Sequence, residues 1–234
     1  MSVVENVAEV QERIAKAARR AGRDPVDISL MGVSKTVPPD AIREVYAAGV
    51  RLFGESKVQE FAGKVGALSD LRDAQWHMIG HLQSNKAAKA AELFSAVDSV
   101  DSLRLAEKLN SAAGQLGKKF DVLIEINVGG ETAKTGVAPD SRELVEILQG
   151  ASCLDNLQFR GLMTVPPFTD DPQGTRLFFR KLRELRDQIA ARRLPSLGMD
   201  VLSMGMSHDF AVAIEEGSTC VRVGTAIFGE RQRA

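Results

Sequence analysis

Cysteine, aromatic residues and net charge are all scarce in this sequence of 234 residues. The two cysteines, Cys153 and Cys220, have neither the close spacing of a redox pair nor the number expected of a disulfide scaffold. The 30 Lys and Arg residues are balanced by 31 Asp and Glu residues, and one Trp and one Tyr provide few rings for base stacking. We therefore expect no nucleic-acid partner, no membrane partner and a reducing compartment.

Long apolar runs are missing as well. The N-terminus carries Glu5, Glu9 and Glu12 where a secretion signal would need an apolar stretch, and no run approaches the roughly 20 residues that span a bilayer. A cytoplasmic protein is therefore expected. With 44% hydrophobic residues the chain can still bury a large core, so we expect residues 1–234 to form one domain.

Short apolar runs alternate with amphipathic stretches along most of the chain. Before this alternation, apolar residues from Val3 to Ala17 recur at helical spacing, which predicts an extra N-terminal helix that ends at Gly22. Strands are then predicted at residues 28–34, 50–53, 75–80, 94–98, 120–128, 157–163, 199–204 and 219–223. Eight strands with intervening helices favour a single-domain (β/α)8 TIM barrel of the α/β class. If the weak fourth strand does not form, an open doubly wound sheet is the alternative.

Lys35 follows the first predicted strand, and a glycine-containing turn follows each of the last two strands. Ser207 ends the first of these turns and is expected to cap the helix that begins at His208, whereas Gly224 and Thr225 open a second short helix. In a closed barrel strand one lies beside strand eight, so Lys35 would lie next to the turn from Arg222 to Thr225. A lysine amine forms an imine with an aldehyde, and helix N-termini bind phosphate. The pattern predicts a phosphorylated aldehyde as the ligand, and pyridoxal 5'-phosphate (PLP) fits it. The alternative is a solvated lysine and two ordinary strand-to-helix turns.

Arg222 lies within the last predicted strand, where a buried charge needs a partner. One interpretation is an ion pair with a barrel carboxylate such as Glu125. In the other, its guanidinium faces the pyridine nitrogen of the cofactor and keeps that nitrogen unprotonated, which favours holding the cofactor over carbanion chemistry. His77 and His81 lie too far apart along a strand to share a metal, so no metal site is predicted.

Several segments, in order along nearly the whole chain, resemble the pyridoxal phosphate homeostasis protein family, whose barrel is like the N-terminal domain of alanine racemase. They are Gly32-Val33-Ser34-Lys35-Thr36, Phe53-Gly54-Glu55, Trp76 to Lys86, Gly161-Leu162-Met163, Ser203 to Ser207 and Arg222 to Gly229.

The resemblance implies a single-domain barrel with PLP in imine linkage to Lys35. It also implies that Ser207, Gly224 and Thr225 bind the phosphate and that Arg222 lies at the pyridine nitrogen. The family is regarded as a carrier or regulator of vitamin B6 supply, with no conventional enzymatic role. One departure is Ser56, where many members have Asn, so the side chain at this position is shorter than in those members.

The sequence therefore predicts a PLP-binding protein that carries or buffers the cofactor as a reversible Lys35 imine in vitamin B6 homeostasis. We expect a monomer without catalytic residues, and client apoenzymes are candidate partners. The alternative is a PLP-dependent amino-acid racemase, which needs acid–base groups on both faces of the imine. Tyr46, the only tyrosine, falls in the helix after strand one and is badly placed for that role. A third interpretation, a barrel that binds a phosphorylated ligand without a covalent bond, would make Lys35 dispensable.

Overall fold

The computed structural model describes residues 2–131 and 134–230. Within them, parallel strands close into a barrel in which each strand pairs with the next along the chain and the last pairs with the first. The strands are β1 Ser29–Val33, β2 Leu52–Glu55, β3 Gln75–Met78, β4 Ala96–Val100, β5 Phe120–Glu125, β6 Leu157–Met163, β7 Leu197–Met206 and β8 Cys220–Val223. The predicted eight-stranded barrel is confirmed, and the open doubly wound sheet is wrong.

Helices surround the barrel and complete each βα repeat. They are α1 Val3–Arg20, α2 Pro39–Ala47, α3 Val58–Lys64, α4 Ala87–Leu93, α5 Leu103–Gln115, α6 Arg142–Gly150, α7 Arg176–Ala191, α8 Phe210–Glu215 and α9 Thr225–Phe228. No helix in the described part of the chain is both long and apolar enough to cross a membrane.

The weak fourth strand forms two residues later than predicted, over Ala96–Val100, and all of its residues are buried. It pairs with β3 on one side and with β5 on the other, so its neighbours stabilise a strand that its own sequence specifies poorly. This pairing allows the barrel to close, and closure brings β1 beside β8.

The extra N-terminal helix α1 begins with a capping box between Ser2 and Glu5. Its buried face packs against α8 and α9, the two helices that follow β7 and β8. In addition, the Asn6 side chain donates a hydrogen bond to the backbone carbonyl of Ile227 at 2.9 Å. Helix α1 therefore packs on the outside of the last two βα units and stabilises them.

The β1–β8 register places Met31 beside Arg222 and Gly32 beside Val223. Just beyond these pairs, a Cβ added at Gly224 would lie 3.5 Å from the Cβ of Val33. The turns that follow β1 and β8 are therefore neighbours, although they lie near opposite ends of the sequence.

Candidate functional site

Lys35 lies in the turn between β1 and α2, at the carboxyl end of the barrel, and is half-buried. The backbone N–H of Val37 donates to the carbonyl of Ser34 at 3.0 Å and closes this turn around Lys35 and Thr36. Thr36 has a φ of 62°, a conformation that is uncommon and strained for a β-branched residue. Local strain therefore accompanies the placement of Lys35, as is frequent at functional sites.

Ser207 lies at the end of β7 but does not cap the helix that follows it. Its hydroxyl accepts hydrogen bonds from the backbone N–H groups of Gly224 at 3.2 Å and Ala226 at 3.3 Å, so it lies at the start of α9. The prediction that it caps the helix near His208 is wrong. Asp209 is the residue before α8, and its carboxylate accepts the Met206 N–H at 2.7 Å and so stabilises the intervening turn.

The turn between β7 and α8 also explains where Ser207 lies. Gly205 has a φ of +96°, and a Cβ there would come within 2.6 Å of the Cβ of Ala213. Only glycine allows the end of β7 to approach α8 this closely. The chain can then fold so that Ser207 reaches the next βα turn.

The turn after β8 supplies the other side of this contact. Gly224 is the residue before α9, and Thr225 is the exposed first residue of that helix. Two backbone N–H groups of this turn converge on one oxygen atom, the Ser207 hydroxyl. The structure therefore brings together Lys35, Ser207, Gly224 and Thr225 at neighbouring turns on one end of the barrel.

Arg222 is 3% exposed and is held by oxygen atoms of Ser203 in β7 and of Thr164, the residue after β6. Its Nη1 donates to the carbonyl and the hydroxyl of Ser203 at 2.6 and 2.7 Å, and its Nη2 donates to the carbonyl of Thr164 at 2.6 Å. Burial lowers the pKa of the guanidinium, and nearby Cys220 and Asp98 partly oppose this effect. In residues 2–131 and 134–230 no salt bridge joins Arg222 to Glu125, so the expected ion pair is wrong, although Asp98 and Glu125 attract the guanidinium from a longer distance. The uncharged oxygens of Ser203 and Thr164 hold the guanidinium in place, since they lie closer to it than the Glu125 carboxylate does.

Glu125 ends β5 and is 5% exposed. One carboxylate oxygen accepts the Thr135 hydroxyl at 2.8 Å, and the other has no hydrogen-bond partner among the described residues. Burial raises the pKa of this carboxyl group. In the sequence, Glu125 is a carboxylate that ends an apolar strand, which is a signal of the carboxyl end of the barrel as well as of a possible partner for Arg222.

His77 and His81 bind different aspartates and do not meet. His77 Nδ1 lies 3.0 Å from Asp98, and His81 Nδ1 lies 3.1 Å from Asp101. Burial alone would lower the pKa of His77, but Asp98 outweighs it and the pKa is raised. His77, Asp98 and Cys220 line a cavity of about 440 Å³ together with Ser29 at the start of β1, so this cavity opens at the amino end of the barrel. The described residues contain no group of three or more His, Cys, Asp or Glu side chains suited to a metal ion.

The fold and this arrangement define a closed (β/α)8 barrel protein. At the carboxyl end of the barrel, the turn that contains Lys35 lies beside the turn whose backbone N–H groups bind the Ser207 hydroxyl. The family model of the alanine racemase N-terminal domain matches residues 6–232. The pyridoxal phosphate homeostasis protein of Aquifex aeolicus is 47% identical over 99% of this chain and 100% of its own length. The protein of that name from Pseudomonas aeruginosa is 44% identical over 98% of this chain and 96% of its own length.

Solved structures agree with these matches. PipY of Synechococcus elongatus with PLP bound is 38% identical and has a TM-score of 0.84. The alignment covers 97% of this chain and 100% of the PipY chain. The alanine racemase of Streptomyces coelicolor, at 18% identity and a TM-score of 0.70, shares the fold over 97% of this chain and 59% of its own length. The chain therefore belongs to the pyridoxal phosphate homeostasis protein family.

Proposed function

We propose that this protein binds PLP through a reversible imine with Lys35 and stores, buffers or delivers the cofactor. The observation that carries the proposal is the contact between two turns, one that holds Lys35 and one whose N–H groups converge on an oxygen. A phosphate offers oxygen acceptors of the same kind, so the residues present suit an anionic phosphorylated ligand. The PLP bound to PipY supports this choice of ligand.

Each residue has a separate task in this proposal. With PLP bound, the neutral Lys35 amine would be the nucleophile for its aldehyde: the C=N bond would replace the C=O bond, and the aldehyde oxygen would leave as water with the two protons of the amine. The turns that contain Ser207, Gly224 and Thr225 would bind the phosphate: the Ser207 hydroxyl, which accepts the Gly224 N–H, can still donate its own proton to a phosphate oxygen. Arg222 would lie at the pyridine nitrogen as a permanent donor and would leave that nitrogen unprotonated. Water reverses the same step and releases the cofactor.

We favour a carrier over a racemase because Tyr46, the residue considered as the second base of a racemase, lies far from Lys35. Tyr46 donates its hydroxyl proton to Asp73, and the guanidinium of Arg51 lies 4.0 Å from the centre of its ring. Arg51 immediately precedes β2 and Asp73 lies just before β3, so both mark the amino end of the barrel. Tyr46 therefore lies at the opposite end from Lys35 and cannot act as a second base there.

The proposal extends to the whole chain as one PLP-binding domain. Candidate recipients are apoenzymes that need the cofactor. The cytoplasmic location and the monomeric state expected from the sequence stay predictions.

Absorption spectroscopy tests the anchor directly. Protein loaded with PLP should show the absorbance of a protonated imine, and borohydride should remove that band and attach the label to Lys35, as peptide mapping by mass spectrometry would show. Lys35→Ala should lose both, whereas Lys89→Ala is a matched control because Lys89 is exposed and paired with Glu92. Retention of the imine band in Lys35→Ala would reject Lys35 as the anchor and point to another lysine. Absence of the imine band in the native protein loaded with PLP would favour the non-covalent alternative.

A further inference from the structure

Helix α3 directs two charged side chains, Glu60 and Lys64, at the turn that contains Lys35. Residues four apart lie on the same face of a helix, and the two side chains form an ion pair of 3.3 Å. Lys64 is 9% exposed, which is unusual for a lysine and requires close partners. The functional interpretation of the sequence used neither residue.

The two side chains bind the backbone on both sides of Lys35. The Lys64 ammonium donates to the carbonyl of Ser34 at 2.8 Å. The Glu60 carboxylate accepts the backbone N–H of Thr36 at 2.5 Å. The peptide groups that flank Lys35 are therefore both fixed by one helix, although nothing in these bonds involves the Lys35 amine.

The buried carboxylate of Glu55 binds both Lys64 and Ser34. Glu55, at the end of β2, is fully buried, and its Oε1 lies 2.8 Å from the Lys64 ammonium. The same oxygen accepts the Ser34 hydroxyl at 2.5 Å. Ser34 is thus bound through its carbonyl by Lys64 and through its hydroxyl by Glu55. Burial raises the pKa of Glu55, and the hydrogen bonds from Lys64 and Ser34 oppose that rise.

Such bonds are expected where the backbone is strained. A β-branched residue at positive φ persists only if its surroundings hold it there. The Thr36 N–H and Lys64 also keep the Glu60 carboxylate ionised, since they lower its pKa although burial alone would raise it. The strain at Thr36 and the ion pair on α3 are therefore parts of one arrangement.

We propose that Glu60 and Lys64 are positioning residues for Lys35: they hold the strained turn so that the amine meets the aldehyde at bonding distance. This inference rests on the Lys35 imine proposed above. It assigns to α3 a role in the rate of imine formation and none in the binding of the phosphate or the ring.

The test separates the covalent step from binding. The rate of imine formation is followed by stopped-flow absorbance after mixing apoprotein with PLP, and affinity without the covalent bond is measured by calorimetry in a Lys35→Ala background. Glu60→Ala should slow imine formation roughly ten- to a hundredfold, since small displacements of a reacting group have effects of this size. Glu60→Gln should restore most of the rate because its amide oxygen can still accept the Thr36 N–H. Gln59→Ala, at the exposed neighbouring position on α3, is the matched control and should keep the native rate.

In the Lys35→Ala background, Glu60→Ala should leave the affinity for PLP unchanged. A native rate of imine formation in Glu60→Ala would overturn the inference, and so would an equal loss of affinity in the Lys35→Ala background, because that would indicate a general structural role. If Glu60→Ala does not fold by circular dichroism, Glu60→Asp replaces it: the shorter side chain withdraws the acceptor and should also slow the reaction, and a native rate would again overturn the inference.

A double-mutant cycle of Thr36 and Glu60 tests whether Glu60 acts through the strained turn. Thr36→Gly reaches positive φ without strain, so adding Glu60→Ala to it should slow imine formation less than in the native background. An equal effect in both backgrounds would contradict the inference. Failure of the proposed function looks different: either the native protein shows no imine band, or Lys35→Ala keeps the band whatever residue is present at position 60.

Discussion

The Ser207 hydroxyl at the end of β7 lies 3.2 Å from the backbone nitrogen of Gly224 after β8, so two successive βα turns meet at one oxygen atom. This contact is where we place the phosphate group.

Ser207→Ala combined with Thr225→Ala should weaken binding of PLP far more than binding of unphosphorylated pyridoxal. Each hydrogen bond to a charged group contributes roughly 1.5–3 kcal/mol, and only PLP carries the phosphate that would receive these bonds. Calorimetry with both ligands measures the difference, and Ser152→Ala, at an exposed serine outside the site, serves as the control. Equal weakening for the two ligands would mean that the turns serve only the fold.

Arg222→Met should destabilise the barrel even without any ligand. The substitution removes donors from the Ser203 hydroxyl and from the carbonyls of Ser203 and Thr164. The Ser203 carbonyl keeps the Thr164 N–H, but each buried oxygen left without any donor costs roughly 1–3 kcal/mol. Urea unfolding of the apoprotein would measure the loss, with Arg104→Met on the exposed face of α5 as the control. An unchanged unfolding midpoint would show that Arg222 contributes no stability and is kept for the ligand alone.

Protein loaded with PLP should exchange its imine with added alanine yet show negligible racemisation. Imine exchange needs one neutral amine, whereas racemisation also needs reprotonation from the opposite face. Tyr46 lies at the other end of the barrel and cannot supply that proton. Chiral chromatography of alanine incubated with the protein is the measurement. Turnover at about 1 per second or faster, lost in Lys35→Ala, would favour a racemase.

Stability should depend on pH through His77. Its pKa is raised in the folded state above about 6.5, the value in unfolded peptides. A raised pKa stabilises the protein fully below the unfolded value, and this stabilisation is lost as the pH rises through the folded value. The free energy of unfolding should therefore exceed that of His77→Gln most at pH 5 to 6 (about one unit below the unfolded pKa) and by less at higher pH. A difference that grows with pH would contradict the pairing with Asp98.

The sequence predicts the βα repeat and the adjacency of β1 and β8, because both follow from hydrophobic patterning and from the closure of eight strands. It does not predict the start of β4, since Phe94 and Ser95 are as suited to a strand as Ser99 and Val100 are. Pairing with β3 and β5 decides the boundary.

Side-chain partners were harder to predict than strands. Ser207 was expected to cap the nearest helix in sequence, but the turn at Gly205 directs it to the next one. Glu60 and Lys64 belong to a short helix with other charges nearby, a pattern typical of a solvated surface. Their contacts with Ser34 and Thr36 depend on how α3 lies against the turn after β1, and no local signal in the sequence reports that placement.

The β1–β8 pairing joins strands near the two ends of the chain, so the loop-closure entropy lost in forming it is larger than for any pairing of consecutive strands. Contacts of such long sequence separation form slowly during folding. The site we propose spans this seam, with Lys35 on one side and Gly224 on the other. A partly folded chain in which β1 and β8 are not paired therefore has no complete site. A ligand that contacts both turns would bind only the closed barrel and would stabilise it relative to the partly folded chain.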